Sequence, residues 1–397
     1  MSKKKMRKLH RRKKTEPVSS KLPKSRHGHT VIKVVGVGGG GGNAVTRMME
    51  GARIRGVEFM AVNTDAQDLN HATAHHKIYI GKALTRGLGA GMNPDIGKQA
   101  AEENRSEIME ALEGTDIVFL TAGFGGGTGT GATPVIAEAA REKGILTIAI
   151  ITKPFSFEGA ERARIAHEGL ANLKDKVDSM VVIPNDRIFN LINKDTSVAR
   201  AFGFVDDVLE QAVQAITEII NVPGLINVDF ADIKAVMKDA GSTLIGIGLA
   251  SGPERSLKAV SLAINSPLLE VSIEGAKRAL LSVAGGRDMK MSEVNDIAKA
   301  VAANLDPNAK IIFGAYYDRS LKDKALKVTV IAAGFNGIMG SSRMVGIPSL
   351  FMNDESKKIP VLEDENVKEE VMEEPKEKKG KKDENWDIPA FLRRKRR

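Results

Sequence analysis

The most informative segment of the chain is Gly123-Phe124-Gly125-Gly126-Gly127-Thr128-Gly129-Thr130-Gly131. Glycines at this density let successive backbone amides turn towards one point without side-chain obstruction, and the two threonines between them add hydroxyl donors. An apolar run at residues 116–122 predicts a buried strand before the segment, and residues 134–140 predict a helix after it. A strand, a glycine-rich loop and a helix N-terminus together form a binding site for phosphate.

A second glycine-rich segment lies at residues 36–42 and is followed by Asn43. It also joins a predicted strand, at residues 31–35, to a predicted helix, at residues 44–49. By itself this pattern suits the pyrophosphate of a dinucleotide, and Asp65, at the end of the next predicted strand, stands where a ribose-binding acid would. A nicotinamide-dependent dehydrogenase is therefore one alternative. Against it, one pyrophosphate does not need two glycine cradles, whereas a triphosphate with its metal can use both.

The spelling of residues 123–131 resembles the tubulin signature, and the wider chain resembles the FtsZ branch of the tubulin family from about Val31 to Phe335 and again at the C-terminal tip. The resemblance implies a GTPase that binds GTP and GDP, with Mg²⁺ accompanying the nucleotide. It further implies head-to-tail filaments that form the cytokinetic (Z) ring at the bacterial division site. A relative that binds GTP without hydrolysing it is a second alternative. A P-loop GTPase is excluded because no G-x-x-x-x-G-K-[ST] motif is present.

Strands that alternate with helices predict an α/β protein with a parallel sheet and helices on both faces. The resemblance makes this a tubulin-like fold with an N-terminal Rossmann-like GTP-binding domain, a long central helix, a second, smaller α/β domain and disordered tails. Apolar residues cover most of the circumference of the predicted central helix, which indicates that it is buried. The expected divisions are a basic arm at 1–30, the GTP-binding domain at 31–199, the central helix at 200–222, a C-terminal α/β activation domain at 223–335, a mostly disordered linker at 336–384 and a partner-binding peptide at 385–397.

The resemblance also implies which residues bind the nucleotide. Glu158 and Arg162 match positions near the sugar and phosphates, and Asn185, Phe202 and Asp206 match positions that recognise the base. The chemistry is suitable, because a carboxylate accepts from the guanine N1 and N2 donors that adenine lacks, and a phenyl ring offers a stacking face. The full predicted set is Gly39, Gly40, Gly41, Gly42, Asn43, Gly127, Thr128, Gly129, Thr130, Glu158, Arg162, Asn185, Phe202 and Asp206.

Three polar residues, Asn227, Asp229 and Asp232, follow the predicted central helix. Aspartate in the first turn of a helix is favoured for capping alone, so a purely structural role is the simplest interpretation. A helix from Asp206 to Asn221 would extend roughly 22 Å, so these acids cannot reach a nucleotide held at its other end. The resemblance implies that they act on the nucleotide of a neighbouring subunit by orienting and polarising the attacking water. Hydrolysis would then require the polymer.

Charge is concentrated in the tails of this 397-residue chain, which contains no cysteine and so fits a reducing cytoplasm. Residues 1–30 carry twelve Lys and Arg side chains against a single acid, Glu16. We expect this arm to bind anionic lipid or nucleic acid through non-specific charge attraction. A solubility tail and an organellar transit peptide are the alternatives for the same arm.

The C-terminal tip resembles the family's peptide for membrane tethers of the FtsA type and other division proteins. Its predicted partner-binding residues are Asp387, Ile388, Pro389, Phe391 and Leu392. The resemblance places the protein in the cytoplasm, at the midcell division site on the inner face of the membrane. His71, His75 and His76 have no framework of acids or cysteines around them, so no protein metal site is predicted.

Overall fold

The computed structural model describes residues 30–335, apart from residues 52, 53, 55, 191, 194, 267–271, 319, 320, 322 and 323. Several predicted segments lie outside the described residues: the basic arm except Thr30, the linker at 336–384, and the terminal peptide with Asp387, Ile388, Pro389, Phe391 and Leu392. Among the helices that are described, none is both long enough and apolar enough to cross a bilayer.

The described residues form ten strands and eleven α-helices. The strands are β1 (Ile32–Val37), β2 (Val57–Asn63), β3 (His76–Tyr79), β4 (Ile117–Gly123), β5 (Leu146–Lys153), β6 (Ser179–Pro184), β7 (Gly241–Ser251), β8 (Arg278–Gly285), β9 (Lys310–Tyr317) and β10 (Ala325–Ala333). The helices are α1 (Gly38–Gly51), α2 (Ala66–His71), α3 (Lys82–Thr85), α4 (Pro94–Glu103), α5 (Arg105–Ala111), α6 (Thr128–Glu142), α7 (Ala160–Lys174), α8 (Val198–Asn221), α9 (Phe230–Met237), α10 (Arg255–Ile264) and α11 (Met291–Ala302).

The strands form one sheet in the order β3-β2-β1-β4-β5-β6-β7-β10-β8-β9. Strands β1 to β6 are all parallel, as the alternation of strands and helices predicts. Only two residue pairs, Ser179 with Gly241 and Met180 with Ser242, join β6 to β7. Beyond that junction β10 runs antiparallel to β7 and β8, while β9 is parallel to β8. The predicted α/β class is therefore confirmed, and a smaller mixed half of the sheet follows the parallel half.

Alternating residues of the parallel strands face two separate cores. On β4, Val118 and Leu120 pack on one face with α6, while Ile117 and Phe119 pack on the other face with α8. The second core also takes in Leu280 and Ile331 from the smaller half of the sheet, so α8 and α9 are packed against both halves. Phe119 is fully buried, and truncating such a side chain to alanine costs about 3–5 kcal/mol.

Helix α8 joins the two halves of the molecule. It spans 24 residues and therefore about 36 Å, and it begins after Ser197, whose hydroxyl accepts from the Arg200 amide at 3.4 Å. The helix ends at Asn221 because Pro223 has no amide hydrogen and cannot continue it. Its buried residues occur on several sides, which agrees with packing on both halves of the sheet.

Candidate functional site

The first glycine-rich segment is part of a helix and not a loop before one. Strand β1 ends at Val37, and α1 begins directly at Gly38, whose φ of +71° is in the left-handed region. A Cβ on Gly36 would lie 2.2 Å from the Gly41 carbonyl oxygen, so the chain can turn this tightly only without side chains at the crossing. The first amides of α1 have no partner within the helix and are available to a ligand.

The two glycine-rich segments pack directly on each other. A Cβ on Gly38 would lie 2.9 Å from the Gly129 amide nitrogen, and one on Gly40 would lie 3.4 Å from the amide nitrogen of Gly123. The contact follows from the topology, because β1 and β4 are neighbouring parallel strands whose carboxyl ends lie at one edge of the sheet. The N-termini of α1 and α6 therefore meet, which places two sets of unpaired amides and two positive helix ends together.

Hydrogen bonds fix the shape of the second segment. Thr130 is buried, and its hydroxyl oxygen accepts from the Gly125 amide at 3.0 Å, so this side chain holds the turn in place. The Thr128 hydroxyl instead pairs with that of Thr64 at 2.6 Å, which links the segment to the loop after β2. Gly127 donates its amide to the Gly91 carbonyl at 2.8 Å. Of the two predicted threonines, Thr128 is the one at the partly exposed start of α6.

The acid that suggested a dinucleotide has a structural role. The Asp65 carboxylate accepts from the amides of Gln67 and Asp68 and caps the N-terminus of α2. Pro94, the first residue of α4, approaches the second glycine segment: a Cβ on Gly131 would lie only 1.9 Å from the Pro94 carbonyl oxygen. Helix α4 is thereby held against α6 by backbone contact.

Glu158 and Arg162 form an ion pair of 2.7 Å at the start of α7. The Glu158 carboxylate also accepts from the Phe155 amide at 2.9 Å, which fixes its position. The pair lies beside the second glycine segment, because a Cβ on Gly125 would be 3.0 Å from the Arg162 carbonyl oxygen. The structure thus brings these two predicted residues next to the predicted phosphate cradle.

The predicted base-recognition residues lie at the end of β6 and in the first turns of α8. Asn185 is only 6% exposed, and its side-chain oxygen has no hydrogen-bond partner among the described residues. A buried acceptor without a partner is costly, and a ligand N–H would satisfy it. Phe202 is 42% exposed, and its ring centroid lies 5.3 Å from that of the buried Phe155 ring in an edge-to-face arrangement. Phe202 and Asp206 share one face of α8 because they are four residues apart.

Burial raises the pKa of the Asp206 carboxyl to about 6. The Arg47 guanidinium, 3.4 Å away on α1, opposes this shift, and the Asp207 carboxylate adds to it. Arg47 fits against α8 because position 203 is glycine; a Cβ there would lie 2.7 Å from one of its terminal nitrogens. Sequence reasoning missed Arg47, since the residue it pairs with is 159 positions away and no local pattern reveals the contact.

Sequence reasoning also missed an aromatic cluster around Phe155. Phe157 stacks on that ring at 5.0 Å and Phe189 tilts against it at 5.4 Å, while Phe202 meets it edge-on. Phe157 and Phe189 are largely exposed. The only signal in the sequence was the recurrence of phenylalanine, which does not distinguish exposed from buried rings.

The three polar residues after α8 lie at the opposite end of that helix. Asp229 caps α9: its carboxylate accepts from the Asp232 amide at 2.8 Å, and the Asp232 carboxylate accepts from the Asp229 amide at 3.4 Å. Asn227 accepts from the Gly224 amide at 2.6 Å. The helix is continuous from Asp206 to Asn221, so about 22 Å separates the base-recognition residues from its C-terminal end. The structure does not bring the two predicted groups together within one chain.

No group of three or more His, Cys, Asp or Glu side chains suited to a metal ion occurs in the part of the chain that the structure describes. His75 accepts from the Phe59 amide through Nδ1 at 2.9 Å and stacks on the Phe59 ring.

Two family models match the chain. Residues 31–193 match the model described as Tubulin/FtsZ family, GTPase domain, and residues 241–336 match that described as FtsZ family, C-terminal domain. Among solved structures, the chain is similar to an empty FtsZ dimer from M. jannaschii at 46% identity and a TM-score of 0.71, covering 77% of this chain and 88% of that one. An FtsZ point mutant from M. jannaschii matches at 46% identity and a TM-score of 0.72, covering 77% and 92% of the two chains.

A more distant similarity concerns the fold alone. The GTPγS-bound protofilament of CetZ2 from Haloferax volcanii matches at 21% identity with a TM-score of 0.65, covering 76% of this chain and 92% of that one. Its similarity shows that the arrangement of strands and helices is retained when four residues in five differ.

Proposed function

The chain belongs to the tubulin/FtsZ family of GTPases, and we propose that it hydrolyses GTP only between subunits of a head-to-tail filament that builds the cytokinetic ring at the division site. One observation carries the proposal: the unbroken helix α8 separates the glycine cradle and base-recognition residues from the acids at Asp229 and Asp232. A site that is split in this way is complete only where the acid end of one subunit meets the nucleotide end of the next.

Phosphate binding is assigned to the facing helix starts. Gly39–Gly42 with Asn43, and Gly127–Thr130, are assigned to the phosphates because they form the starts of α1 and α6, which meet; Gly127 contributes close backbone approach and not a donor, since its amide is bound to the Gly91 carbonyl. Glu158 and Arg162 lie beside the second glycine segment, and we assign them to the sugar and phosphates. Mg²⁺, when bound with GTP, neutralises charge on the phosphates.

Guanine recognition is assigned to Asn185, Phe202 and Asp206. The buried Asn185 oxygen without a partner supports this role, because a base N–H would satisfy it. An ionised Asp206 accepts from the N1 and N2 donors of guanine, and Phe202 contributes a stacking surface. Adenine has an acceptor at N1 and no amino group at C2, so the same carboxylate would repel it.

Water activation is assigned to Asp229, Asp232 and Asn227 of the adjacent subunit. The reciprocal hydrogen bonds between the two acids hold both carboxylates at the start of α9. Capping and catalysis are therefore compatible: the cap fixes carboxylates that then polarise the attacking water near the γ-phosphate. Amides of the glycine cradle stabilise the charge that develops on the phosphate oxygens.

The cellular setting of this activity is also a proposal. We place the filaments on the cytoplasmic face of the membrane at midcell, held through Asp387, Ile388, Pro389, Phe391 and Leu392 by a tether of the FtsA type or another division protein. The basic arm would add binding to anionic lipid or nucleic acid. Since the FtsZ relatives reported above come from M. jannaschii, we do not restrict the proposed role to a bacterial ring.

The decisive experiment follows phosphate release from GTP over a dilution series, beside light scattering, for the native chain and Asp232→Ala. We expect both signals to begin at the same threshold concentration, with the variant binding GTP but releasing little phosphate. A rate per molecule that does not depend on concentration, without scattering, would mean that one chain holds a complete site. GTP binding without turnover in the native chain would indicate a non-hydrolysing relative.

A further inference from the structure

The loop that leads from α8 to Asp229 and Asp232 is hydrogen-bonded to β9, the edge strand of the smaller half of the sheet. We call residues 223–229 the acid loop. The amides of Leu225 and Ile226 donate to the Ala315 carbonyl at 2.7 and 3.1 Å, and the Ala315 amide donates to the Ile226 carbonyl at 3.1 Å. A Cβ on Gly224 would lie 2.6 Å from that same Ala315 oxygen. The position of the acids therefore depends on β9 as well as on α8.

Tyr316, the residue after Ala315, connects β9 to the last turn of α8. The Tyr316 hydroxyl donates to Glu218 Oε2 at 2.8 Å, and the Lys327 ammonium on β10 donates to the same oxygen at 2.5 Å. Gln214 donates to the other carboxylate oxygen at 2.6 Å. We call these four side chains the Glu218 network. It joins α8, β9 and β10 at one carboxylate, three residues before the helix ends.

The network lies largely out of solvent, since Tyr316 is 5% exposed and the side chains of Glu218 and Lys327 are 17% and 16% exposed. Taking two charges out of water costs much of what their attraction returns, so such a pair contributes little net stability. What it does contribute is geometry, because each donor must meet the carboxylate at a defined distance and angle. Burial and the nearby Glu218 carboxylate also raise the pKa of Tyr316, so its hydroxyl stays protonated and able to donate.

We propose that Glu218, Tyr316 and Lys327 are positioning residues for hydrolysis: they fix the end of α8 against β9 and so orient the acid loop towards the nucleotide of the next subunit. None of the three touches the nucleotide of its own chain, because they lie at the far end of α8. The inference rests on the proposed function, since it assumes that Asp229 and Asp232 act across the subunit boundary.

The test compares Tyr316→Phe with Tyr317→Phe, which removes the same hydroxyl from the next residue of β9, where the side chain is 43% exposed. Turnover is measured per polymerised subunit, well above the threshold concentration, alongside that threshold, GTP affinity and Tm. We expect Tyr316→Phe to lower kcat by roughly ten- to a hundredfold, the effect of one hydrogen bond to a charged group, with threshold and GTP affinity unchanged. Tyr317→Phe should match the native chain.

Three further variants guard against simple loss of folding. Glu218→Gln keeps the shape of the side chain but removes its charge, and it should lower kcat in the same way. Lys327→Arg keeps a cation at the same place and should retain most of the turnover that Lys327→Met loses. If these variants reduce only the folded or polymerised fraction, while kcat per polymerised subunit stays native, the positioning role is wrong.

A background that lacks both acids separates this inference from the proposed function. If Tyr316 acts through the acids, Tyr316→Phe should lower kcat no further when Asp229 and Asp232 are both already alanine; two losses that multiply would overturn the proposal. A native kcat for Asp232→Ala alone would instead contradict the proposed function. A low kcat for Asp232→Ala with native turnover for Tyr316→Phe would leave the proposed function standing and remove the positioning role.

Discussion

The nucleotide end and the acid end of the molecule are built on opposite principles. At the nucleotide end, glycines bring the backbone of α1, α4 and α6 within contact distance, and most of the polar groups offered are amides. At the acid end, Asp229 and Asp232 offer charged side chains that hydrogen bonds hold on a helix cap. The nucleotide end therefore offers close backbone packing and helix dipoles, whereas the acid end offers charged carboxylates.

The difference explains why the two ends need not meet in one chain. Glu158, the predicted carboxylate beside the cradle, is paired with Arg162 at 2.7 Å, whereas Asp229 and Asp232 accept only from backbone amides. In the proposed function, the acids at the far end of α8 reach the phosphates only after a second subunit docks, so that turnover depends on assembly. Each variant below changes one of the two ends.

The largest effect is expected from Gly131→Ala, which tests whether the nucleotide end depends on backbone contact. The new Cβ would lie 1.9 Å from the Pro94 oxygen and 2.7 Å from the Lys98 nitrogen, both backbone atoms that cannot rotate away. We expect a loss of more than about 3 kcal/mol, or a fall in Tm on the order of 10 °C. Gly126→Ala, whose Cβ would meet nothing within 4 Å, is the matched control and should keep the native Tm.

The next largest effect is expected from Asp229→Ser, which separates capping from catalysis at the acid end. Serine caps helices about as well as aspartate, so Tm and GTP affinity should stay near native. Loss of the carboxylate should lower kcat within filaments by about a hundredfold. Asp229→Ala serves as the comparison that loses both roles. Native turnover in Asp229→Ser would mean that this residue is only a cap.

Much of the fold was predictable because its signals are local. The strands expected at residues 31–35 and 116–122 are observed as Ile32–Val37 and Ile117–Gly123, and the helix expected at residues 44–49 lies within Gly38–Gly51. What periodicity could not show is that Gly38–Gly42 is already helical, since a run of glycines has no apolar face to detect. Nor could it show that the two halves form one sheet through two residue pairs, which depends on contacts distant in sequence.

The candidate site was predictable where it is made of backbone and less so where side chains meet. The glycine-rich segments predicted where the two helix starts lie. Thr64 and Arg47, however, contact residues 64 and 159 positions away, Thr128 and Asp206, and no local pattern reveals such contacts. At Asp229 the sequence suits capping and catalysis equally, and the structure shows the cap. Which of the predicted nucleotide contacts form therefore stays a prediction until GTP binding is measured in variants.

A smaller effect is expected from pH, through Asp206. Its pKa of about 6 means that the free protein holds a proton there below that pH. Guanine needs the ionised carboxylate, so binding must release the proton, and affinity should fall by up to about tenfold per pH unit below 6 while staying flat above it. Titrating a fluorescent GDP analogue from pH 5 to 8 measures this. Asp206→Asn should bind weakly with no pH dependence.

Two controls sharpen the pH result. Asp207→Asn should keep the dependence with a lower midpoint, because Asp207 raises the pKa of its neighbour. In the nucleotide-free protein the sign is opposite: a raised folded-state pKa gives stability that is present below the ordinary value of 3.8 and is lost as pH rises through about 6. A midpoint that Asp206→Asn does not remove would assign the titration to another group.

The smallest effect is expected from Thr64→Val, which asks whether the nucleotide end uses any side-chain hydroxyl at all. Valine keeps the shape of this buried residue but removes the hydrogen-bond partner of the Thr128 hydroxyl. The Thr128 hydroxyl can then rotate away from the phosphates. A net hydrogen bond of about 1 kcal/mol corresponds to a roughly fivefold loss of GTP affinity.

Thr133→Val is the matched control for this variant, because it also removes a buried hydroxyl, in this case one on α6 itself that donates to the Gly129 carbonyl at 2.6 Å. Both variants should lower Tm by a similar amount, but only Thr64→Val should weaken GTP binding. Native GTP affinity in both variants would show that the Thr64–Thr128 hydrogen bond is not needed for binding. The nucleotide end would then depend on backbone amides alone, in full contrast to the carboxylates of the acid end. Loss of affinity in both would mean that the cradle responds to any loosening of α6, so that its rigidity, more than a particular hydroxyl, governs binding.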